Sequence, residues 1–208
     1  MKRITILADG DFPRGGRALE ALRSAEYIIC CDGAAEALVN FGMQPDMIVG
    51  DIDSLPMSLQ EQYAGIIRHS SGQDDNDLTK AMRHAVEMQP EQILILGATG
   101  KREDHTLANI SLLADYLEMA APATVEMLSD FGRFEVRGCS GRFKAEPGQE
   151  ISIFSFDHTL NIHAEGLEYP TDNVVFDSLW KASLNRALQP EFTLELNHRA
   201  PYIVYFAF

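Results

Sequence analysis

The 208-residue chain reads as an α/β protein: a mostly parallel N-terminal sheet with helices on both faces, followed by a C-terminal antiparallel β-sandwich or barrel. Three observations predict this. Up to about residue 130, short apolar runs alternate with segments of helical spacing, the pattern of strand–helix–strand units in a parallel sheet. Beyond that point, short segments of period-two alternation separated by Gly, Pro, Asn and Asp take over. The composition, 46% hydrophobic and 23% charged, is that of a chain able to bury a core. The change of pattern divides the chain into domains at 1–130 and 131–208.

The elements follow in order. ITILA (Ile4 to Ala8) is strand-like, and GRALEALRSA sets Ala18, Leu19, Leu22 and Ala25 on one helical face. YIICCDG (Tyr27 to Gly33) is a second buried strand, and the helix AAEALVNF after it stops at Gly42. MIVGDIDS (Met47 to Ser54) and GIIRHS (Gly65 to Ser70) are the third and fourth strands. DLTKAMRHAVEM carries Leu78, Ala81, Met82, Ala85 and Val86 on a helical stripe, and QILILGA (Gln92 to Ala98) is a fully apolar, parallel-type strand. LANISLLADYL is a helix with Leu107, Ile110, Leu113, Ala114 and Leu117 on one side, and TVEMLSD closes the half. In the second half RFEVRG, GRFKA, EISIFSF, LNIHAEGL, FTLELNH and YIVYFAF are strands, and only SLWKASLNRAL has the spacing of a brief helix.

Composition excludes some functions. A net charge of −14 argues against nucleic acid as partner, because phosphate backbones call for Lys and Arg. No stretch approaches the roughly 20 apolar residues of a membrane span, and the apolar run before Asp9 is too short for a signal peptide. Three cysteines, two of them adjacent in an apolar run, read as reduced, mostly buried thiols. The expectation is a soluble, cytoplasmic protein.

The polar residues are informative by position. Asp32-Gly33 follows the second strand, Asp51 and Asp53 the third, GQDDND the fourth, and Gly97 to Asp104 the fifth. All lie where ligands bind in an open α/β sheet, at the carboxyl edge of its strands. Asp51 and Asp53, two apart, face one side if the chain is extended, and like charges so placed suit a hard cation such as Mg²⁺; they also suit a strand end turning toward Pro56. In QDDND, Asp74, Asp75 and Asp77 are either a capped helix start or further metal-holding carboxylates. In GATGKREDHTLANI, Gly97 and Gly100 let the backbone turn or approach a ligand, Lys101 and Arg102 bring positive charge, and the following helix start is a seat for phosphate. His105 beside Asp104 reads as structural or substrate-orienting. Carboxylates with a basic Gly-containing loop point to metal-assisted phosphate chemistry.

PDMIVGDIDS, QDDNDLTKA and GATGKREDHTLANI, in that order and spacing, resemble the thiamine pyrophosphokinase family, and CDGAAEAL resembles its Asp-Gly-Gly-Ala-Asn motif. The resemblance implies an N-terminal α/β domain that binds ATP and Mg²⁺, a C-terminal β-sandwich that binds thiamine, and a homodimer with thiamine near the subunit interface. It implies that Asp51, Asp53, Asp74 and Asp77 hold Mg²⁺ and diphosphate, with Asp53 or Asp77 positioning the thiamine hydroxyl. Arg102 and Asp104 match the family's Arg-x-Asp pair; Asp32 and Gly33 would lie at the nucleotide. GLEYP and WKASLN resemble the segments before the family's last strands, making Trp180, Ser183 and Asn185 the thiamine candidates, with Asp75 a solvated bystander. The chain departs from the family at Ala34, Glu36, Asn76 and Lys101, the last replacing a glycine, and has SLN where the family has adjacent serine and asparagine.

Two other readings are weighed against this one. A metal-dependent nucleotide or phosphoester hydrolase would release product without an acceptor. A nucleotide-sensing module would bind ATP without turnover.

Overall fold

The computed structural model describes residues 2–70 and 75–208. These form two compact units that meet in the chain at Asp130 and Phe131.

In the first unit six strands make a wholly parallel sheet: β1 (Arg3–Leu7), β2 (Ile28–Cys31), β3 (Met47–Gly50), β4 (Ile67–His69), β5 (Gln92–Leu96) and β6 (Thr124–Leu128). Their order is β4-β3-β2-β1-β5-β6, with registers such as Ile6↔Ile95 and Cys30↔Ile48. Consecutive side chains point to opposite faces, so each strand feeds two layers. Leu7, Ile28, Cys30, Ile48 and Leu96 join Ala18 and Leu22 of α1 (Gly16–Arg23) and Ala35 and Leu38 of α2 (Ala34–Asn40) in one core. The alternate residues Ile6, Ile29 and Ile95 are equally buried. Against β1, β2 and β3 packs α4 (Asp77–Glu87), which also packs on α5 (Glu103–Met119). A buried hydrogen bond of 2.8 Å between the Thr79 and Tyr116 hydroxyls joins these two helices. Each fully buried Ile or Leu contributes about 1.5–3 kcal/mol; that two-sided burial explains why these strands read as apolar runs.

Local structure departs from expectation at several points. The third strand ends at Gly50, not Ser54, because Ile52 takes a left-handed φ of 67°. A short helix, α3 (Met57–Gln62), follows Pro56 in a stretch with no apolar stripe. The helix after β5 starts at Glu103, four residues before Leu107, since Glu103 and Asp104 suit the positive end of its dipole. Leu107, expected on the buried stripe, is 62% exposed, and only Leu113 and Tyr116 of that helix are buried.

The second unit is a sandwich of antiparallel sheets. One has the order β11-β9-β13-β7: β7 (Gly132–Arg137), β9 (Glu150–Ser155), β11 (Asn185–Arg186) and β13 (Tyr202–Ala207). The other has the order β10-β12-β8: β8 (Gly141–Lys144), β10 (Ile162–Glu165) and β12 (Glu191–Leu196). Phe143, Phe192, Ile162, Ile151, Tyr202 and Phe206 from both sheets fill a single core. The stretch 178–188 is not a helix. Ser183 donates to the Trp180 carbonyl through both its amide and its hydroxyl, Leu184 has a φ of 59°, and the chain enters β11. Cys30 and Cys31 are buried, which raises both thiols far above their ordinary range, whereas Cys139 is exposed, contrary to expectation.

The loop after β10 is held down by His163, whose Nδ1 lies 2.6 Å from Asp172 Oδ1, with Glu165 and Glu195 also facing the ring. The Asp172 carboxylate raises the His163 pKa and is itself lowered by the imidazole. A raised His contributes fully below its usual value of about 6.5 and loses that as pH rises through its folded value; a lowered Asp contributes above about 3.9 and loses that on acidification. The pair therefore stabilises most between about pH 4 and 6.5. Asp172→Asn will lower the melting temperature more at pH 5.5 than at pH 9, as calorimetry at the two values would show; an equal drop at both would refute the ion pair.

Candidate active site

The strand order of the first unit has a switch point. From β1 the chain steps outward to β4, then returns to β5 on the other side of β1. Crevices open at such points beyond the carboxyl ends of the strands. A cleft of about 980 Å³ lies there, lined among others by Asp32, Asp51, Asp77, Lys80, Lys101 and Arg102.

Its acidic wall comes from the loops after β2 and β3. Asp32 (φ 35°) leads into α2; Asp51 and Asp53 flank the left-handed Ile52, which turns the chain within the pair. Strand alternation does not align the two carboxylates, because β3 has already ended; the turn does, with the Asp53 amide donating to Asp51 Oδ1 at 3.4 Å. The result is that single oxygens of Asp32, Asp51 and Asp53 lie within 4.8 Å of one another. Asp32 is 5% exposed; its Oδ2 accepts from the Ser54 amide at 3.3 Å, while its Oδ1 is buried with no hydrogen-bond partner among the described residues. Burial, opposed by the Ser54 amide and assisted by the charges of Asp77, Asp51 and Asp53, pushes its pKa up to about 6. Converging hard oxygens with one buried acceptor unsatisfied fit Mg²⁺ or a similar divalent cation, whose charge would offset this repulsion.

Around the start of α4, the helix cap is Asn76, whose side chain accepts from the Thr79 amide at 2.9 Å; Asp75 and Asp77 do not cap it. Asp77, the first helical residue, accepts at Oδ1 from Lys80 Nζ at 3.0 Å, one turn along. The Lys80 ammonium, largely buried, also donates to the Ser70 carbonyl at 3.1 Å. Asp75, expected to be solvated, is paired with Arg83 at 2.8 Å. Asp74 lies outside the described residues.

The basic side is the loop from Gly97 to Arg102. Gly97 (φ 64°) and Gly100 (φ 78°) take conformations that favour glycine, and Lys101 adopts the same region with φ 54°. Lys101 Nζ lies 2.8 Å from Asp9 Oδ1. Arg102 grips Asp104 through Nε at 3.1 Å and Nη2 at 2.6 Å, which holds the Asp104 carboxyl below its usual range. His105 also lines the cleft, its amide donating to Asp104.

The fold thus gathers Asp32, Asp51, Asp53 and Asp77 with Lys101, Arg102, Gly33 and Gly100 around one cleft or its carboxylate cluster. Sequence reasoning missed Asp9, Ser54, Lys80 and Asn109, all of which line it. Asp9 was findable, since it follows β1 as Asp32 follows β2; Lys80 was hidden inside a helical stripe. In the second unit Trp180 is 72% exposed and Ser183 is bonded to its carbonyl. The Asn185 side chain is committed within its own unit, accepting from the Tyr169 amide at 3.0 Å and donating to the Tyr169 carbonyl at 2.8 Å.

Residues 18–125 match the family model described as thiamin pyrophosphokinase, catalytic domain, and residues 132–205 the one described as thiamin pyrophosphokinase, substrate-binding domain. Thiamin pyrophosphokinase 1 of Caenorhabditis elegans is 29% identical over 118 residues, 52% of this chain and 48% of that protein. Thiamine pyrophosphokinase of Bacillus subtilis (strain 168) is 27% identical over 149 residues, 68% of this chain and 69% of its own. Thiamine pyrophosphokinase 1 of Oryza sativa subsp. japonica is 32% identical over 114 residues, 43% of this chain and 43% of that protein, so the matches to the C. elegans and rice proteins each span less than half of those relatives. Among solved structures, thiamine pyrophosphokinase from Bacillus subtilis superposes with a TM-score of 0.81 at 23% identity, covering 99% of both chains. That of Candida albicans gives 0.80 at 18% identity, over 99% of this chain and 92% of its own. At these identities the structural likeness speaks to the fold. No helix among the described residues is long and apolar enough to cross a membrane.

Proposed function

The chain belongs to the thiamin pyrophosphokinase family, and we propose that it transfers the terminal diphosphate of ATP to the hydroxyl of thiamine, giving thiamine diphosphate and AMP. The observation that carries this reading is the convergence of Asp32, Asp51 and Asp53 in a fold whose cleft also holds Lys101 and Arg102. Acids that hold a cation and bases that hold phosphate are what a polyphosphate substrate requires.

In this mechanism Asp32, Asp51 and Asp53 would hold Mg²⁺, with Asp77 on the same acidic wall and Asp74 proposed as a further ligand from its motif alone. Bound there, Mg²⁺ would supply charge neutralisation for the phosphate oxygens. Asp53 or Asp77 orients the thiamine hydroxyl and takes its proton as the oxygen bonds to the β-phosphorus. The bond from that phosphorus to the bridging oxygen breaks, and AMP leaves. Lys80 fixes the Asp77 carboxylate in one orientation. Lys101 and Arg102 steady the phosphate charge, and Asp104 aims Arg102. Asp32 and Gly33, with Gly97 and Gly100, let the backbone close on the nucleotide. Positioning and charge neutralisation carry most of the rate gain.

The 131–208 unit is the thiamine-binding domain in this reading and the 1–130 unit the catalytic one. The exposed Trp180 ring offers a stacking face to a heteroaromatic cation, with Ser183 beside it and Asn185 acting by holding the Tyr169 segment. The protein works as a Mg²⁺-dependent cytoplasmic homodimer, with thiamine near the subunit interface.

The test is to incubate the protein with ATP and MgCl₂, with and without thiamine. AMP and thiamine diphosphate should form together, and only when thiamine is present. Equal AMP without thiamine would establish a hydrolase instead, and ATP binding without AMP a sensing module.

A further inference from the structure

Lys101 occupies a backbone conformation that glycine adopts without strain and that lysine, with its Cβ, does not. Its ammonium rests on Asp9 at 2.8 Å, and both side chains are about half exposed, 52% and 49%. A structural clip would be one explanation, but the two loops are already joined by their backbones. The amides of Ala8, Gly10 and Asp11 donate to the carbonyls of Leu96, Gly97 and Thr99 at 2.8, 2.6 and 2.8 Å. A half-exposed ion pair adds little to three such bonds. The pair also sits on the loops that follow β1 and β5, the strands that flank the switch point, on the lining of the cleft. The strained lysine is therefore placed where an anionic ligand arrives and is held there by a weak, releasable partner.

We infer that Lys101 is an exchangeable cation, held on Asp9 when no phosphate is bound and passed to a phosphate oxygen of the nucleotide, so that Asp9 competes with the substrate for it. This rests on reading the cleft as a diphosphate-transfer site. A polyphosphate offers the ammonium several anionic oxygens against the single Asp9 carboxylate and wins the exchange. Asp9 thereby weakens nucleotide binding by competing for the Lys101 ammonium, which makes it an affinity-tuning residue.

The test is a double-mutant cycle read by calorimetric titration of ATP, and separately of inorganic tripolyphosphate, in low-salt buffer with MgCl₂. Lys101→Gly suits the backbone, so it removes the cation without threatening the fold; it should weaken both probes about tenfold. Asp9→Asn should tighten both about threefold, the scale of an exposed ion pair. In the Lys101→Gly background that gain should shrink to less than half. A purely structural pair predicts the opposite sign for Asp9→Asn. Weaker or unchanged binding by Asp9→Asn, the same gain without Lys101, or no binding of either probe to the wild type would overturn the inference. Thiamine-dependent AMP formation by the wild type is scored separately. If the cycle holds without turnover, the proposed reaction fails and the exchange stands; turnover without the cycle does the reverse.

Discussion

Asp53→Asn will leave the chain folded, raise its melting temperature in the absence of metal, and lower thiamine diphosphate formation at least about a hundredfold, or about 2.7 kcal/mol in the barrier. The opposite signs follow from one cause. Three carboxylate oxygens within 4.8 Å repel one another when no cation lies between them, and Asp32 also carries a buried oxygen with no hydrogen-bond partner among the described residues. Removing a charge relieves that repulsion. The same change removes a hard oxygen donor from the proposed Mg²⁺ site. Asparagine keeps the size of the side chain and an oxygen for the Ser54 hydroxyl, which donates to Asp53 Oδ1 at 3.0 Å. Wild type should gain melting temperature on adding MgCl₂, and the variant should gain much less, because a ligand stabilises only the state that binds it. Calorimetry with and without MgCl₂, beside the AMP assay, reads all three effects. Turnover within about threefold of wild type, about 0.65 kcal/mol, would remove Asp53 from the mechanism.

Gly10→Ala will both destabilise the first unit and disable the cleft, although Gly10 carries no functional group. A Cβ at Gly10 would run into the carbonyl oxygens of Gly97 and Thr99, the same atoms that accept from the Gly10 and Asp11 amides. Backbone carbonyls cannot swing away as a side chain can. The two loops must separate, at about 1–3 kcal/mol, carrying Asp9 and Lys101 apart. Misplacing reacting groups by about 1 Å can cost a hundredfold in rate, so turnover should fall by that order. Gly65→Ala is the control, since nothing lies within 4 Å of a Cβ there. A Gly10→Ala protein that melts with Gly65→Ala and turns over normally would show that the loops tolerate separation.

Much of the fold was legible because burial leaves its period in the residues. β1, β2, β3 and β5 are buried on two faces and read as apolar runs, and β8, β10 and β12 alternate because one face of each meets the sandwich core. The exceptions are local. α3 has no buried residue, so no stripe announces it. β11 has two residues, too few to show a period, and its stretch has a helical pattern because Trp180, Leu184, Ala187 and Leu188 fall at helical spacing. Ile52 at positive φ is invisible in composition, since a β-branched residue is the last one expected there.

For the site, the sequence by itself determined which loops matter: acidic or Gly-containing segments at the carboxyl ends of apolar strands already name Asp32, Asp51, Asp53, Lys101 and Arg102. It also carried the family motifs. Only the tertiary structure decided how these side chains pair. It joined Asp32, rather than a neighbour in sequence, to Asp51 and Asp53. It set Lys80 on Asp77, gave Asp75 to Arg83, and brought Asp9 across 92 positions to Lys101. The physical reason is range. Periodicity and turn chemistry are properties of a few consecutive residues, whereas a carboxylate's charge state and partner depend on whatever atoms the sheet order places within a few ångströms of it.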